Sequence, residues 1–271
     1  MLFNLRAYAC LFLLTALGSS GASAADATNI LPSTQAVSLL VKEVTGERHL
    51  PLLPANVSPH DFSLRPSHIR RLQGAQLVVW LGPKLEPYLA KVMAQIPEHR
   101  QLIINQGPLA AKYGQHPWTS PAYLLQGMQQ LSQHLGKAWS SAAWQQKMHH
   151  IQEQILHHRL ALTQKQQGYL VYHDGIGGFE AYFGLKHLAS FTDADDRPPG
   201  AKQMALIAQL AKQQKVACIL TDHEVKHRLI DAVLGLEVKR IPIDILAANS
   251  DHLVDYILAL QQAILACHSK P

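Results

Sequence analysis

Charge is scarce in this chain of 271 residues, in which lysine, arginine, aspartate and glutamate together make up 16%. No run of lysine and arginine is longer than a pair, and the formal net charge is only +5, so the composition argues against a nucleic-acid partner. Apolar residues make up 48%, which argues against a disordered chain and supports a sizeable core. We therefore expect one large folded domain or two of ordinary size.

No apolar run in the sequence is long enough to span a membrane, which takes about 20 residues. The mostly apolar residues 7–17 are instead followed by small residues that end in Ala22-Ser23-Ala24. This pattern is typical of a secretory signal peptide over residues 1–24, cleaved near Ala24. We predict an exported protein that is not embedded in the membrane.

Cysteine is rare as well, with three in the chain, and Cys10 lies within the predicted signal peptide. The exported protein would keep Cys218 and Cys267 in an oxidising compartment, where two cysteines most simply form a disulfide. Cys218 lies in an apolar segment and Cys267 lies near the end of the chain. The bridge would therefore join the last helix to a central sheet.

Proline and glycine are both absent from residues 138–167, which show helical spacing of apolar residues. A helix of this length would extend roughly 45 Å, so we interpret it as a rigid connector. On both sides of it, apolar segments of strand length alternate with helical segments. This alternation predicts an α/β fold with two lobes and mostly parallel sheets, over residues 25–137 and 168–271.

Four potential metal ligands follow predicted strands. His60 follows a strand predicted at His49–Leu53, and His116 follows one predicted at Leu102–Ile104 through a loop. His173 ends a predicted strand, and Asp244 directly follows another. Open α/β sheets bind ligands at the carboxyl ends of their strands. Imidazole nitrogens and one carboxylate suit Zn²⁺, which prefers four ligands in a tetrahedron. Because each lobe contributes two ligands, the sequence predicts a zinc site in the cleft between the lobes.

Several stretches, in order along the chain, resemble one known family. They are SPHDFSLRPS, LQGAQLVVWLGPKLEPYL, QHPWTSP, VYHDGIGGFEAYFGL and RPPGAKQ. They resemble the periplasmic zinc-binding proteins of ABC importers, which belong to the solute-binding proteins for zinc and manganese. The resemblance covers nearly all of the chain after the predicted signal peptide. It implies two α/β lobes of the cluster A-I solute-binding type, joined by one long rigid helix, with the metal between them.

The same resemblance implies the ligands and the function. It places histidine ligands at His60, His116 and His173, and a further ligand position at Asp244. Members with glutamate at the third position resemble manganese proteins, so His173 favours zinc. The implied function is high-affinity capture of Zn²⁺ in the periplasm and transient docking to a membrane permease. The protein is then expected to be a monomeric carrier and not an enzyme.

The chain departs from the family's usual pattern in two places in the second lobe. Asp222 and His223 stand in a stretch that usually reads Glu-Pro-Gln-Phe, and Asp244 begins Asp-Ile-Leu-Ala where Asp-Pro-Leu-Gly is usual. The fourth ligand is therefore either Asp244 or a water molecule. Asp222 and His223 are candidates for assisting metal capture. Asp174 is a candidate hydrogen-bond acceptor for the neighbouring ligand His173.

Two other functions are open. His223-Glu224-Val225-Lys226-His227 matches H-E-x-x-H, which on a helix would point to a secreted zinc metallopeptidase. A periplasmic zinc chaperone or buffer without a permease would need the same ligands as a carrier.

Two expectations concern side chains outside the ligand set. Trp118 lies two residues after His116, so we expect it to pack beside that histidine and orient it. His187 is expected at the protein surface.

Overall fold

The computed structural model describes residues 29–57, 59, 62–104, 115–165, 167–194, 197–222 and 225–267. Within these ranges, the side chains of residue 158 and of residues 160–165 are not described. The predicted signal peptide, the predicted ligand His60, and His223 with Glu224 all lie outside the described residues.

Strands and helices alternate along the chain, as the sequence predicted. The strands are β1 (Ile30–Pro32), β2 (Leu77–Trp80), β3 (Gln101–Ile103), β4 (Gly168–His173), β5 (Ser190–Thr192), β6 (Val216–Thr221) and β7 (Arg240–Pro242). The helices are α1 (Gln35–Thr45), α2 (Pro66–Gly74), α3 (Pro87–Met93), α4 (Pro121–Leu135), α5 (Ala142–Lys165), α6 (Gly177–Phe183), α7 (Ala201–Lys212), α8 (His227–Leu234) and α9 (Leu253–Ala266).

The described strands form two sheets, and every strand pair in them is parallel. The first lobe has the order β1-β2-β3, and the second has the order β5-β4-β6-β7. Parallel neighbours require crossover connections, and the helices between the strands supply them. The α/β prediction with parallel sheets is confirmed.

The ends of α1 show how local sequence sets an element. The hydroxyl of Thr34 accepts a hydrogen bond from the backbone N–H of Val37 at 3.4 Å, which caps the first turn. At the other end Gly46 has φ of +78°, a left-handed conformation that glycine adopts without a steric cost. The preceding residue, Ser33, is also of a good capping type, but the structure uses Thr34.

The strand predicted at His49–Leu53 is wrong, since no strand is present there. Only two backbone hydrogen bonds join this segment to the end of β1, from Leu52 N to Pro32 O at 2.8 Å and from Leu53 N to Ser33 O at 2.9 Å. Pro51 has no N–H to add another, so the ladder does not extend. The segment nevertheless holds the start of the His60 loop at the carboxyl end of β1.

The connector helix α5 has 24 residues and spans about 36 Å. It is shorter than the predicted range 138–167 because residues 138–141 and residue 167 are not helical. Its apolar side is buried through Trp144, Met148, Ile151 and Ile155. These four belong to one continuous core that includes side chains of both lobes and of α9, so the connector is packed against the protein over residues 144–155.

The predicted disulfide is present between Cys218 in β6 and Cys267 at the end of α9, with the Cα atoms 5.4 Å apart. It joins the last helix to a central strand of the second-lobe sheet, as expected. Among the described residues, no helix combines the length and the apolarity that crossing a membrane requires.

Candidate metal centre

Two histidines from different lobes meet in the protein interior. His116 lies between β3 and α4 in the first lobe, and His173 is the last residue of β4 in the second. Their Nε2 atoms are 3.2 Å apart, and their rings are perpendicular. Only 4% of His116 and 5% of His173 is exposed. The structure therefore brings together two of the predicted ligands across the lobe boundary.

The separation of these two nitrogens is informative about the ligand that they suit. Zinc–imidazole bonds of about 2.05 Å at a tetrahedral angle put the two nitrogen atoms about 3.3 Å apart. The observed 3.2 Å is close to that value. One Zn²⁺ would therefore fit both histidines with little change in their spacing.

A threonine that sequence reasoning missed orients His173. The Nδ1 atom of His173 lies 3.3 Å from the hydroxyl oxygen of Thr192, which follows from the pairing of these residues in β4 and β5. The Thr192 hydroxyl donates its own proton to Tyr172 O at 3.4 Å, so toward His173 it acts as an acceptor. With its proton on Nδ1, His173 would have the lone pair of Nε2 available for a metal.

His116 is held by the short 3-10 turn that follows it. The backbone carbonyl of His116 accepts hydrogen bonds from the N–H of Thr119 at 3.1 Å and from the Thr119 hydroxyl at 2.9 Å. The Trp118 ring lies edge-on to the imidazole, with the ring centres 5.1 Å apart. Trp118 thus packs beside His116, as the sequence predicted.

Asp244 lies two residues beyond β7, in a loop next to the two histidines. Its Oδ2 atom accepts a hydrogen bond from the backbone N–H of Asn249 at 2.7 Å. Burial and the nearby Asp244 charge together raise the pKa of Tyr256 well above its usual range. Within the described residues, no three side chains of His, Cys, Asp or Glu converge on one point, so the structure does not group Asp244 with His116 and His173.

The other candidate residues have different surroundings. Asp222 follows β6 and is half-buried. Asp174 lies near His187 and, through its charge, favours the protonated form of that side chain. Thr192, and not Asp174, is the described residue that lies within hydrogen-bond distance of His173 Nδ1.

The expectation that His187 lies at the surface is wrong. Its side chain is 17% exposed, and its Nδ1 atom is 2.9 Å from Oε2 of the buried Glu180. Burial alone would lower the pKa of His187, but the hydrogen bond and charge of Glu180 outweigh burial and raise it. Glu180 Oε1 also accepts from the Tyr169 hydroxyl at 2.6 Å and from His187 N at 2.8 Å. The hydrogen bonds of Glu180 join α6 to β4. The sequence indicated this cluster only through a glutamate in an otherwise apolar stretch.

The H-E-x-x-H motif lacks the helical context that a metallopeptidase needs. Helix α8 begins at His227, the last residue of the motif, so Val225 and Lys226 precede the helix. His223 and Glu224 are outside the described residues. Helix α8 therefore contains only the second histidine of the motif and cannot present both histidines on one face.

Two α/β lobes with parallel sheets, joined by a long helix, are the architecture of the solute-binding class. The chain belongs to the family described as zinc-uptake complex component A, periplasmic (ZnuA), whose model matches residues 30–267. This membership confirms the resemblance seen in the sequence.

Similar proteins agree with this placement. The chain is 26% identical over 268 residues to the high-affinity zinc uptake system protein ZnuA of Yersinia pestis, with 80% of this chain and 83% of the relative covered. A zinc-bound deletion mutant of ZnuA has the same fold, with a TM-score of 0.69 and 18% identity over 91% of this chain and all of that one. The periplasmic zinc-binding protein TroA from Treponema pallidum has a TM-score of 0.65 and 17% identity over 89% of this chain and 99% of its own.

Proposed function

We propose that this protein captures Zn²⁺ in the periplasm and delivers it to the membrane permease of an ABC importer. Zinc is the cargo of this process, and no reaction is catalysed. The observation that carries the proposal is the 3.2 Å distance between the Nε2 atoms of His116 and His173. Membership of a periplasmic zinc-uptake family supports both the choice of metal and the compartment.

The proposed ligands are His60, His116 and His173, with Asp244 or a water molecule in fourth position. Support for His60 comes from the described residues on either side of it. Pro59, the residue before His60, lines a small cavity together with Trp118 and Leu246, and Trp118 contacts His116. The ring of Phe62 packs against Tyr88 in α3, with the ring centres 5.2 Å apart, which holds the far end of the loop to the first lobe.

Burial of the site favours tight and selective binding. Because His116 and His173 are almost completely removed from water, an ion bound between them would exchange little with solvent. The ligand set of neutral imidazoles is also softer than the oxygen-rich sets that Mn²⁺ prefers. We therefore propose selection of Zn²⁺ over Mn²⁺ by ligand type.

The remaining parts of the proposal concern processing and assembly. Residues 1–24 are removed on export, and the mature protein acts as a monomer that docks transiently on its permease. Residues 25–137 and 168–271 form the two lobes, and residues 138–167 connect them. Asp222 and His223 are the residues proposed to assist metal capture.

Metal titration of chelator-stripped protein tests the ligand assignment. Competitive titration with Zn²⁺ and Mn²⁺ should show one tight zinc site in the wild type. Substitutions His60→Ala, His116→Ala and His173→Ala should each weaken zinc binding by more than about 100-fold, since outer residues alone account for 10–100-fold. His134→Ala, at an exposed histidine, is the matched control and should bind as the wild type does.

Retention of tight zinc binding by His116→Ala or His173→Ala would refute the assignment of these histidines as ligands.

A zinc-uptake assay then tests delivery. Cells that lack their own periplasmic zinc-binding protein but keep the permease should regain uptake when they express the wild type, and not when they express His173→Ala. A protein that binds zinc tightly but restores no uptake would be a buffer or chaperone and not an importer component.

A further inference from the structure

One buried hydrogen bond connects the two lobes directly beside the histidine pair. The indole N–H of Trp118 in the first lobe donates to the backbone carbonyl of Ile245 in the second lobe at 2.9 Å. Both residues are 4% exposed, and 127 positions separate them in the sequence. The bond is therefore made only when the lobes are together, and water does not compete for it.

Both partners of this bond also contact a histidine of the site. The Trp118 ring lies against His116, as described above. On the other side, Ile245 and His173 approach the same glycine so closely that a Cβ atom at Gly175 would lie 2.7 Å from Ile245 Cδ1 and 2.8 Å from His173 Cδ2. The hydrogen bond thus joins Trp118, which contacts the imidazole of His116, to Ile245, which lies close to the imidazole of His173.

The carbonyl of Ile245 is itself fixed within the second lobe. The hydroxyl of Tyr256, a fully buried residue of α9, donates to the same oxygen at 3.0 Å. A carbonyl oxygen can accept two hydrogen bonds, so the two donors do not compete. Trp118 consequently bonds to an acceptor whose position α9 already determines.

We propose that the Trp118–Ile245 hydrogen bond is an interlobe clasp that sets the spacing of His116 and His173 and slows zinc release. Trp118 is a positioning residue in this role, since its indole N–H acts on the metal through the two histidines. The inference rests on the proposed function, because it assumes that zinc binds between these histidines. Opening the lobes would break this hydrogen bond and leave the indole N–H without its partner. The free-energy cost of that loss opposes opening and therefore slows zinc release.

The substitution Trp118→Phe tests the clasp, because it keeps an aromatic ring beside His116 and removes the N–H donor, while the loss of ring volume is shared with the control below. Zinc release is followed by stopped flow, with an excess of a coloured chelator as the readout, so that the loss of tryptophan fluorescence does not interfere. We expect release to become about 5–10-fold faster, the effect of one net hydrogen bond, with the association rate unchanged.

Trp80→Phe is the matched control. Trp80 is also a buried tryptophan of the first lobe, at 3% exposure, and its indole nitrogen has no hydrogen-bond partner among the described residues. Its substitution should leave the release rate at the wild-type value. If Trp118→Phe does not fold, as judged by near-ultraviolet circular dichroism, Trp118→Leu replaces it in the same measurement.

The results separate the clasp from the metal site itself. If His116→Ala and His173→Ala lose zinc but Trp118→Phe releases it at the same rate as Trp80→Phe, the clasp is refuted and the site stands. If both histidine variants bind zinc as the wild type does, the proposed function fails, and the clasp fails with it.

Discussion

The buried carboxyl group of Glu86 should make the stability of the protein depend on pH in an unusual direction. Glu86 lies just before α3 and is fully buried near the carboxyl end of β2. Its Oε2 atom accepts from the backbone N–H of Leu81 at 2.6 Å, and its Oε1 atom accepts from the Tyr88 hydroxyl at 2.9 Å. Burial outweighs these hydrogen bonds and raises the pKa of Glu86 from 4.5 to about 7.

The size and sign of the effect follow from this shift. The folded protein holds the Glu86 proton more tightly than the unfolded chain does, so the group favours folding at low pH. That contribution is complete below pH 4.5 and is lost as the pH rises through about 7. A rise of about 2.5 in the pKa corresponds to about 3 kcal/mol of unfolding free energy.

The assay compares Glu86→Gln with the wild type, since glutamine resembles the protonated acid and does not titrate. Urea unfolding of metal-free protein, followed by circular dichroism from pH 5 to pH 8, gives the unfolding free energy of each. Relative to Glu86→Gln, the wild type should lose about 2–3 kcal/mol across this range, because part of the effect already disappears between pH 4.5 and pH 5. Glu98→Gln, at an exposed glutamate of the same lobe, should follow the wild type.

Subtracting the two curves removes the contributions of the histidines and other groups that titrate in both proteins. A difference between wild type and Glu86→Gln that stays constant from pH 5 to pH 8 would refute the reasoning. It would mean that the hydrogen bonds from Leu81 and Tyr88 fully compensate the cost of burying the charge.

Three further predictions concern the site and its support. Thr192→Val removes the hydroxyl beside the imidazole of the proposed ligand His173, so zinc affinity measured by competitive titration should fall 10–100-fold, as is usual for such outer residues. Replacing Cys218 and Cys267 together by alanine releases a loop of 49 residues, and urea unfolding should show a loss of about 4 kcal/mol. Gly178→Ala would place a Cβ atom 2.7 Å from Thr119 Oγ1 and 3.0 Å from a backbone nitrogen across the lobe contact, and should cost about 1–3 kcal/mol in the same assay.

The threonine and glycine predictions each have a nearby control. Thr221→Val changes a buried threonine at the end of the neighbouring strand β6 and should leave zinc affinity unchanged. Gly177→Ala adds a methyl group on the same helix as Gly178, but nothing lies within 4 Å of it, so it should not destabilise the protein. Equal zinc affinity in the two threonine variants, equal stability in the two glycine variants, or a cysteine effect below about 1 kcal/mol would contradict the respective argument.

Several features of this protein were predictable because they depend on residues close together in the sequence. The bounds of α4 and β6 agree with the sequence patterns residue for residue, since a capping serine, proline and glycine mark α4 and a continuous apolar run marks β6. The strand predicted at His49–Leu53 failed because apolar character indicates burial but does not supply hydrogen-bond partners.

The sequence by itself determined the α/β alternation, the connector helix, the disulfide and the positions of the ligand candidates after strands. Local periodicity, cysteine number and chain order are sufficient for these. Three contacts were decided only by the tertiary structure. Thr192 lies beside His173, and the Trp118 indole donates a hydrogen bond to Ile245. The third contact is the pairing of His187 with the buried Glu180. The first depends on strand register, and the second depends on the contact between the lobes. Moving a strand by one residue reverses which face each side chain occupies, so no local pattern could place these partners.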